Sequence, residues 1–162
     1  MSENQLKSSL FDAKILGESL KEVSMEVIQA EDHDLEGHWY HSARDLDLYI
    51  WKDESHTIIK QQLSFSGLIA EWNIVEGVKT GTLSDDEAPS KVSGSSTIEY
   101  HKKPERFVLD QARQICENIE DLSTADKKQC NFNWGSQQLL SVESFSDFLK
   151  NYAKSLISSK KP

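Results

Sequence analysis

Between Trp39 and Leu83 the chain sets apolar residues at alternate positions through β-rich runs separated by short turn-forming segments: WYHSARDLDLYIWKDESHTIIKQQLSFSGLIAEWNIVEGVKTGTL. A period of two is the pattern of strands with one buried face, and short polar turns join such strands as antiparallel neighbours. The stretch therefore predicts a β-meander, and its turns predict a register. Ser66-Gly67 reads as a two-residue hairpin that sets Phe65 opposite Leu68, Leu63 opposite Ala70, Gln61 opposite Trp72 and Ile59 opposite Ile74. A turn at Asp53 to His56 sets Ile50 opposite Ile59, Leu48 opposite Gln61 and Leu46 opposite Leu63. A third turn at Glu76-Gly77 sets Val75 opposite Val78 and brings Gly81 beside Trp72, where a missing side chain leaves room for the indole.

Under this register one face is apolar throughout except for Gln61. Such a residue is usually satisfied by a backbone group or lies near a sheet end, and orienting a ligand is the alternative. The other face carries Asp47, Tyr49 and Trp51, then Ile58, Lys60, Gln62 and Ser64, then Ile69, Glu71, Asn73 and Val75. Antiparallel sheets can keep one face wet, and aromatics among donors and acceptors suit a partly solvated surface.

Around the meander the chain reads as helix and loop. Leu6, Leu10, Ala13, Gly17 and Leu20 recur at helical spacing, and Gly17 permits close packing. Val23, Met25 and Val27 either continue that helix or form a short strand. Residues 31–37, EDHDLEG, read as a loop, and residues 84–96 as a polar, Ser-rich mobile one. After a possible strand at Thr97 to His101, Pro104 opens a helix whose Val108, Ala112, Ile115, Ile119 and Leu122 follow spacings of four, three, four and three. Asn131 to Gly135 reads as a loop folding Phe132 and Trp134 onto the core. A last helix begins near Ser141 with Val142, Phe145, Phe148, Tyr152 and Leu156 inward.

The 162 residues predict one domain, with an N-terminal segment at 1–30, the meander at 38–83, the loop at 84–96, and a strand with two helices at 97–158. The expected fold is α+β: an antiparallel sheet of four to six strands packed by N- and C-terminal helices. A net charge of -9 argues against nucleic-acid or anionic-membrane surfaces, which reward clustered Lys and Arg. The first sixteen residues lack the charged and apolar blocks of a signal peptide, and no run approaches eighteen apolar residues. A cytoplasmic location is the expectation. Cys116 and Cys130, without a CxxC spacing or an adjacent His, read as packing residues in a reducing compartment.

The segment WYHS-x4-DLYIW, made by Trp39 to Ser42 and Asp47 to Trp51, is followed by Asp53 in an acidic turn and by Gln62-Leu63. It resembles a family of small proteobacterial proteins sharing a W-aromatic-H-S segment, D-L-aromatic-aliphatic-W and a Q-L strand. The resemblance spans about thirty residues. It implies no reaction, because none is assigned to those proteins. His38 stands where relatives carry Arg, and Ser64-Phe65-Ser66 replaces their Cys-Tyr-Asp.

Chemical readings of particular residues are weak. His33, His38 and His41 lie among Glu31, Asp32, Asp34 and Glu36, the side chains that bind zinc, but in a strand His38 and His41 point to opposite faces. Ser42 cannot readily use the adjacent His41 as base, and no G-x-S-x-G elbow is present. Asp47 and Glu71 would share the wet face as a carboxylate pair, although surface acids are common in so acidic a chain. No G-x-G-x-x-G or P-loop occurs. No metal, cofactor or catalytic residue is therefore assigned. The preferred reading is a non-enzymatic cytoplasmic binding or adaptor module that holds a protein partner on Tyr49, Trp51, Lys60, Gln62 and Asn73. The alternative is a small metal-dependent or carboxylate-dependent enzyme.

Overall fold

A computed structural model describes residues 12–23, 35–84 and 97–135. Their elements are α1 (Ala13–Ser19), β1 (Lys21–Val23), β2 (Glu36–Ser42), β3 (Leu46–Lys52), β4 (Ile58–Phe65), β5 (Leu68–Asn73), β6 (Gly77–Ser84), β7 (Thr97–Tyr100), α2 (Arg106–Glu117) and α3 (Thr124–Gly135). The strands form one open antiparallel sheet in simple sequence order. The fold is α+β, with seven strands rather than four to six. The additional strands come from the meander's two ends. Lys21, Glu22 and Val23 pair with His41, Tyr40 and Trp39, so the chain is already strand at Lys21. At the other end Gly81 admits β7, since a β-carbon there would stand 2.7 Å from the Glu99 carbonyl oxygen.

The Ser66-Gly67 turn forms as expected, with φ of 50° and 76°, and aligns Phe65 with Leu68, Leu63 with Ala70 and Gln61 with Trp72. Ile74 donates its backbone N–H to Ile59 at 3.0 Å, which extends the pairing past the end of β5. The β3–β4 register differs from expectation: Ile50 faces Gln61 and Leu48 faces Leu63. Half of that displacement is a longer turn, in which the Asp53 carboxylate accepts from the N–H groups of Ser55 at 2.9 Å and Thr57 at 3.0 Å. The other half is a bulge that leaves Ile59 between the Lys52–Ile58 and Trp51–Lys60 pairs. Beyond the bulge a displacement of two residues keeps each side chain on its expected face, whereas Ile58, on the turn side of the bulge, pairs with Lys52 and joins the core cluster instead of the second face.

The β5–β6 turn shifts by an odd number instead. Asn73 Oδ1 accepts from the N–H groups of Val75 at 3.0 Å and Glu76 at 2.7 Å, and Gly77 takes a φ of 74°, so the loop begins earlier than Glu76. Trp72 therefore pairs with Val78, while Gly81 faces Ile69 and not Trp72. The whole of β6 is turned over relative to the expected register, which puts Val78 and Thr80 on the apolar face.

That face and the helices form a single core. Tyr40, Leu48, Ile50, Leu63, Ala70 and Trp72 cluster with Leu16, Val108, Ala112, Ile115, Cys130 and Trp134. Burying each large aliphatic side chain contributes about 1.5–3 kcal/mol. Asp12 caps α1 by accepting from the N–H groups of Lys14 and Ile15. The helix expected after Pro104 is α2, which buries Val108, Ala112 and Ile115 but ends at Glu117, so Ile119 and Leu122 are buried from the turn that follows it and not from the helix.

Asn131 to Gly135 is the end of α3, not a loop. Ser123 starts that helix, its hydroxyl accepting from Asp126 N at 3.1 Å. Phe132 is 68% exposed and Trp134 only 1%, so one of the two aromatics joins the core. Lys52 Nζ, 2.6 Å from Asp126 Oδ2, ties α3 to the sheet. The expectations for Leu6 and Leu10, Met25 and Val27, the loop after Ser84 and the helix near Ser141 lie outside the described residues.

Candidate functional site

The helix-side cluster occupies one face of the sheet; the second face carries its own chemistry, with Ile69 also buried on it, and the observed register arranges it in cross-strand rows. One row runs Trp39, Tyr49, Gln62, Glu71, Lys79, a second runs Trp51, Lys60, Asn73, and a third runs His41, Asp47, Ser64, Ile69. The three described helices contribute their buried residues to the opposite face. Tyr49, Trp51, Lys60, Gln62 and Asn73 are thus neighbours on one surface.

The aromatic part of this surface is ordered. Trp39 and Tyr49 lie parallel, with an interplanar angle of 1° and centroids 5.9 Å apart. Tyr49 and Trp51 continue the stack at 5.9 Å and 21°. The Lys60 ammonium sits 4.9 Å from the Trp51 ring centroid. Each aromatic pair is worth about 0.5–1.5 kcal/mol beyond its buried area, and the cation adds about 0.5–1 kcal/mol at an exposed site. At the stack's end Asp47 Oδ1 accepts from Trp39 Nε1 at 2.8 Å and from His41 Nδ1 at 2.7 Å. Burial and the charge of Asp47 raise the Tyr49 phenol above its usual range. The phenol therefore stays a neutral donor at ordinary pH.

Trp39, outside the set of surface residues that the sequence alone points to, completes the stack. The signal was present: the Ala43 to Asp45 turn sets Trp39 opposite Tyr49 once Ser42 is paired with Leu46. Across the sheet, Lys79 lies 5.5 Å from the Tyr100 ring, whose hydroxyl donates to Glu71 Oε2 at 2.9 Å. The turning over of β6 brought this second aromatic–cation pair onto the face. Asn73 contributes least to the surface, since it is 7% exposed and its amide also donates to Glu76 at 3.0 Å.

The other chemical readings resolve into structure. His38 contacts Glu22 at 3.2 Å and Glu36 at 3.3 Å, while His41 turns to Asp47. His33 lies outside the described residues, among which no three His, Cys, Asp or Glu side chains group as metal ligands. Ser42 is buried, with its hydroxyl 2.7 Å from Ser19 Oγ and accepting from Arg44 N. Asp47 and Glu71 occupy different rows and hold different partners.

Gln61 is fully buried and binds α3, donating to the Cys130 carbonyl at 3.2 Å and accepting from Asn133 at 2.8 Å. Thr80 and His101 form a hydroxyl–imidazole pair at 2.8 Å, yet the buried hydroxyl also accepts from Glu105 N and so anchors the start of α2. Cys116 and Cys130, fourteen residues apart, are both buried, and a hydrogen bond between the two thiols, followed by burial, pushes Cys130 well up.

No described helix is long and apolar enough to cross a membrane. In comparisons with known proteins, no family model, no curated protein and no solved structure matches the chain.

Proposed function

We propose that the protein is a cytoplasmic, non-enzymatic binding or adaptor module that holds a protein partner on the second face of its sheet. The observation that carries this reading is the Trp39–Tyr49–Trp51 stack with Lys60 on its end, on the face opposite the described helices. Aromatic and cationic side chains of this kind dominate the binding energy of protein interfaces. Here they are held in place by one another and by Asp47, so little side-chain freedom remains to be lost on association. Gln62 and the Tyr49 hydroxyl supply hydrogen-bonding groups beside them.

The carboxylate-dependent enzyme is the weaker reading. Asp47 is committed to Trp39 and His41, and Glu71 to Tyr100, so the two acids do not act on a shared point.

The test combines Trp51→Ala with Lys60→Ala. Wild-type protein immobilised in lysate should retain one defined protein in near-stoichiometric amount, identified by mass spectrometry and reproduced with the purified partner. The double variant should lose it while its melting temperature changes by only a few degrees. Retention of that partner by the folded double variant overturns the proposal.

A further inference from the structure

On the helical side of the sheet, a cleft of about 610 Å³ opens between β6, α2 and the end of α3. Val78, Leu109 and the almost wholly buried Trp134 give it apolar walls, and Lys103, Arg106 and Arg113 line it with positive charge. In a chain with net charge -9, three cations around one cleft run against the general surface. The cleft's carboxylates do little to balance them. Glu76 is held by Asn73 at 3.0 Å and by Lys79 at 2.9 Å, which keeps it below the usual carboxylate range. Asp110 stands one helical turn from both Arg106 and Arg113, where pairs worth about 0.2–0.5 kcal/mol can form, but among the described residues neither ion pair is made.

The end of α3 is shaped to admit one of these cations. A β-carbon on Gly135 would lie 3.2 Å from Arg113 Nη2, so the bare backbone lets the guanidinium approach the helix end beside Trp134. Charge at the mouth and an indole in the wall are complementary to one kind of molecule. We infer that this cleft binds an amphipathic anion, with its carboxylate, phosphate or sulfonate head on Arg106, Arg113 and Lys103 and its apolar body against Leu109 and Trp134. The volume falls in the range of about 300–1,000 Å³ that takes small organic ligands. Guanidinium groups recognise planar or tetrahedral oxyanions by paired hydrogen bonds, which a point charge on a lysine cannot reproduce.

Two probes that share one aromatic body separate the anion from the apolar contribution: 1-anilinonaphthalene-8-sulfonate and its uncharged counterpart N-phenyl-1-naphthylamine. Wild-type protein should bind the sulfonate saturably at one site, with affinity falling as salt rises, and should bind the neutral probe more weakly. Arg106→Ala with Arg113→Ala should weaken sulfonate binding about tenfold or more and leave the neutral probe unchanged. Phe132→Ala and Trp51→Ala, which alter other surfaces, should leave sulfonate binding as in wild type. Arg106→Gln alone, at an exposed position, should weaken it in the same direction without disturbing the fold. Equal affinity for the two probes, sulfonate binding untouched by the arginine substitutions, or its loss in Phe132→Ala or Trp51→Ala overturns the assignment. Because the cleft and the aromatic stack lie on opposite sides of the sheet, this result is independent of partner capture by Trp51 and Lys60.

Discussion

Gly17 of α1 meets Ile115 of α2 backbone to backbone: a β-carbon on Gly17 would stand 2.4 Å from the Ile115 carbonyl oxygen and 2.6 Å from Asn118 Cβ. Helix propensity alone favours alanine over glycine by about 1 kcal/mol. The contact reverses that preference, because the atom in the way belongs to a backbone that cannot rotate aside. Gly17→Ala should destabilise the protein by about 2 kcal/mol, read as a melting temperature lower by about 4–8 °C. A variant at least as stable as wild type would show that α1 does not cross α2 so closely.

Gln61 is the polar residue in an apolar face, and it holds α3 through the Cys130 carbonyl and the Asn133 amide. Removing it leaves a buried acceptor and a buried donor without this partner, each costing about 1–3 kcal/mol. Gln61→Ala should therefore lower unfolding free energy by about 3 kcal/mol. In a double-mutant cycle with Asn133→Ala, the two changes should be coupled by about 1 kcal/mol, measured by urea denaturation. Additive effects would mean that the side chains act separately.

The tyrosines set the alkaline limit. Burial, with the charge of Glu22 next, pushes Tyr40 far above the ordinary phenol value, and burial with the Glu71 hydrogen bond pushes Tyr100 up to about 12. A raised folded pKa means that the neutral form is favoured in the native state, so the stabilisation is complete below the unfolded value of about 10 and is lost as pH rises through the folded one. Melting temperature should accordingly fall between about pH 10 and 12 from this source. Tyr40→Phe should make that alkaline decline shallower, and absorbance at 295 nm should show Tyr40 ionising only as the protein unfolds. An unchanged decline in Tyr40→Phe would assign it to other groups.

The paired thiols should be inert in the native protein. Reactivity follows the thiolate, and both the hydrogen bond to Cys116 and burial suppress it at Cys130. Alkylation by iodoacetamide at neutral pH should proceed at least about a hundredfold more slowly than in urea, in step with opening of the fold. Rapid labelling of folded protein would show that α2 and α3 separate readily.

Much of this architecture is legible in the chain, and the parts that are not share a cause. Alternation places Leu48, Ile50, Leu63 and Trp72 on one face, because side-chain direction in a strand depends only on parity. Turn width is harder to read, since Asp53 and Asn73 use side-chain oxygens in place of backbone carbonyls and thereby move the point where each ladder begins. At Asp53 the displacement is even beyond the bulge and moves Ile58 to the core side before it; at Asn73 it is odd and overturns β6. Helix α3 is concealed by its composition. Its inward positions are Asp126, Cys130, Asn133 and Trp134, and two of them are polar because they bind Lys52 and Gln61 across the sheet. On the second face Tyr49, Trp51, Lys60 and Gln62 follow from parity, whereas Trp39 needed the β2–β3 pairing.

The strands at the two sides of the described sheet are also its shortest, with three residues in β1 and four in β7. A molecule that joined the sheet as an extra strand would find few main-chain groups there to pair with, and short borders of this kind guard against edge-to-edge association. Recognition would then fall to side chains meeting the broad surface of the sheet, where the choice of ligand depends on shape and ring chemistry and not on backbone complementarity.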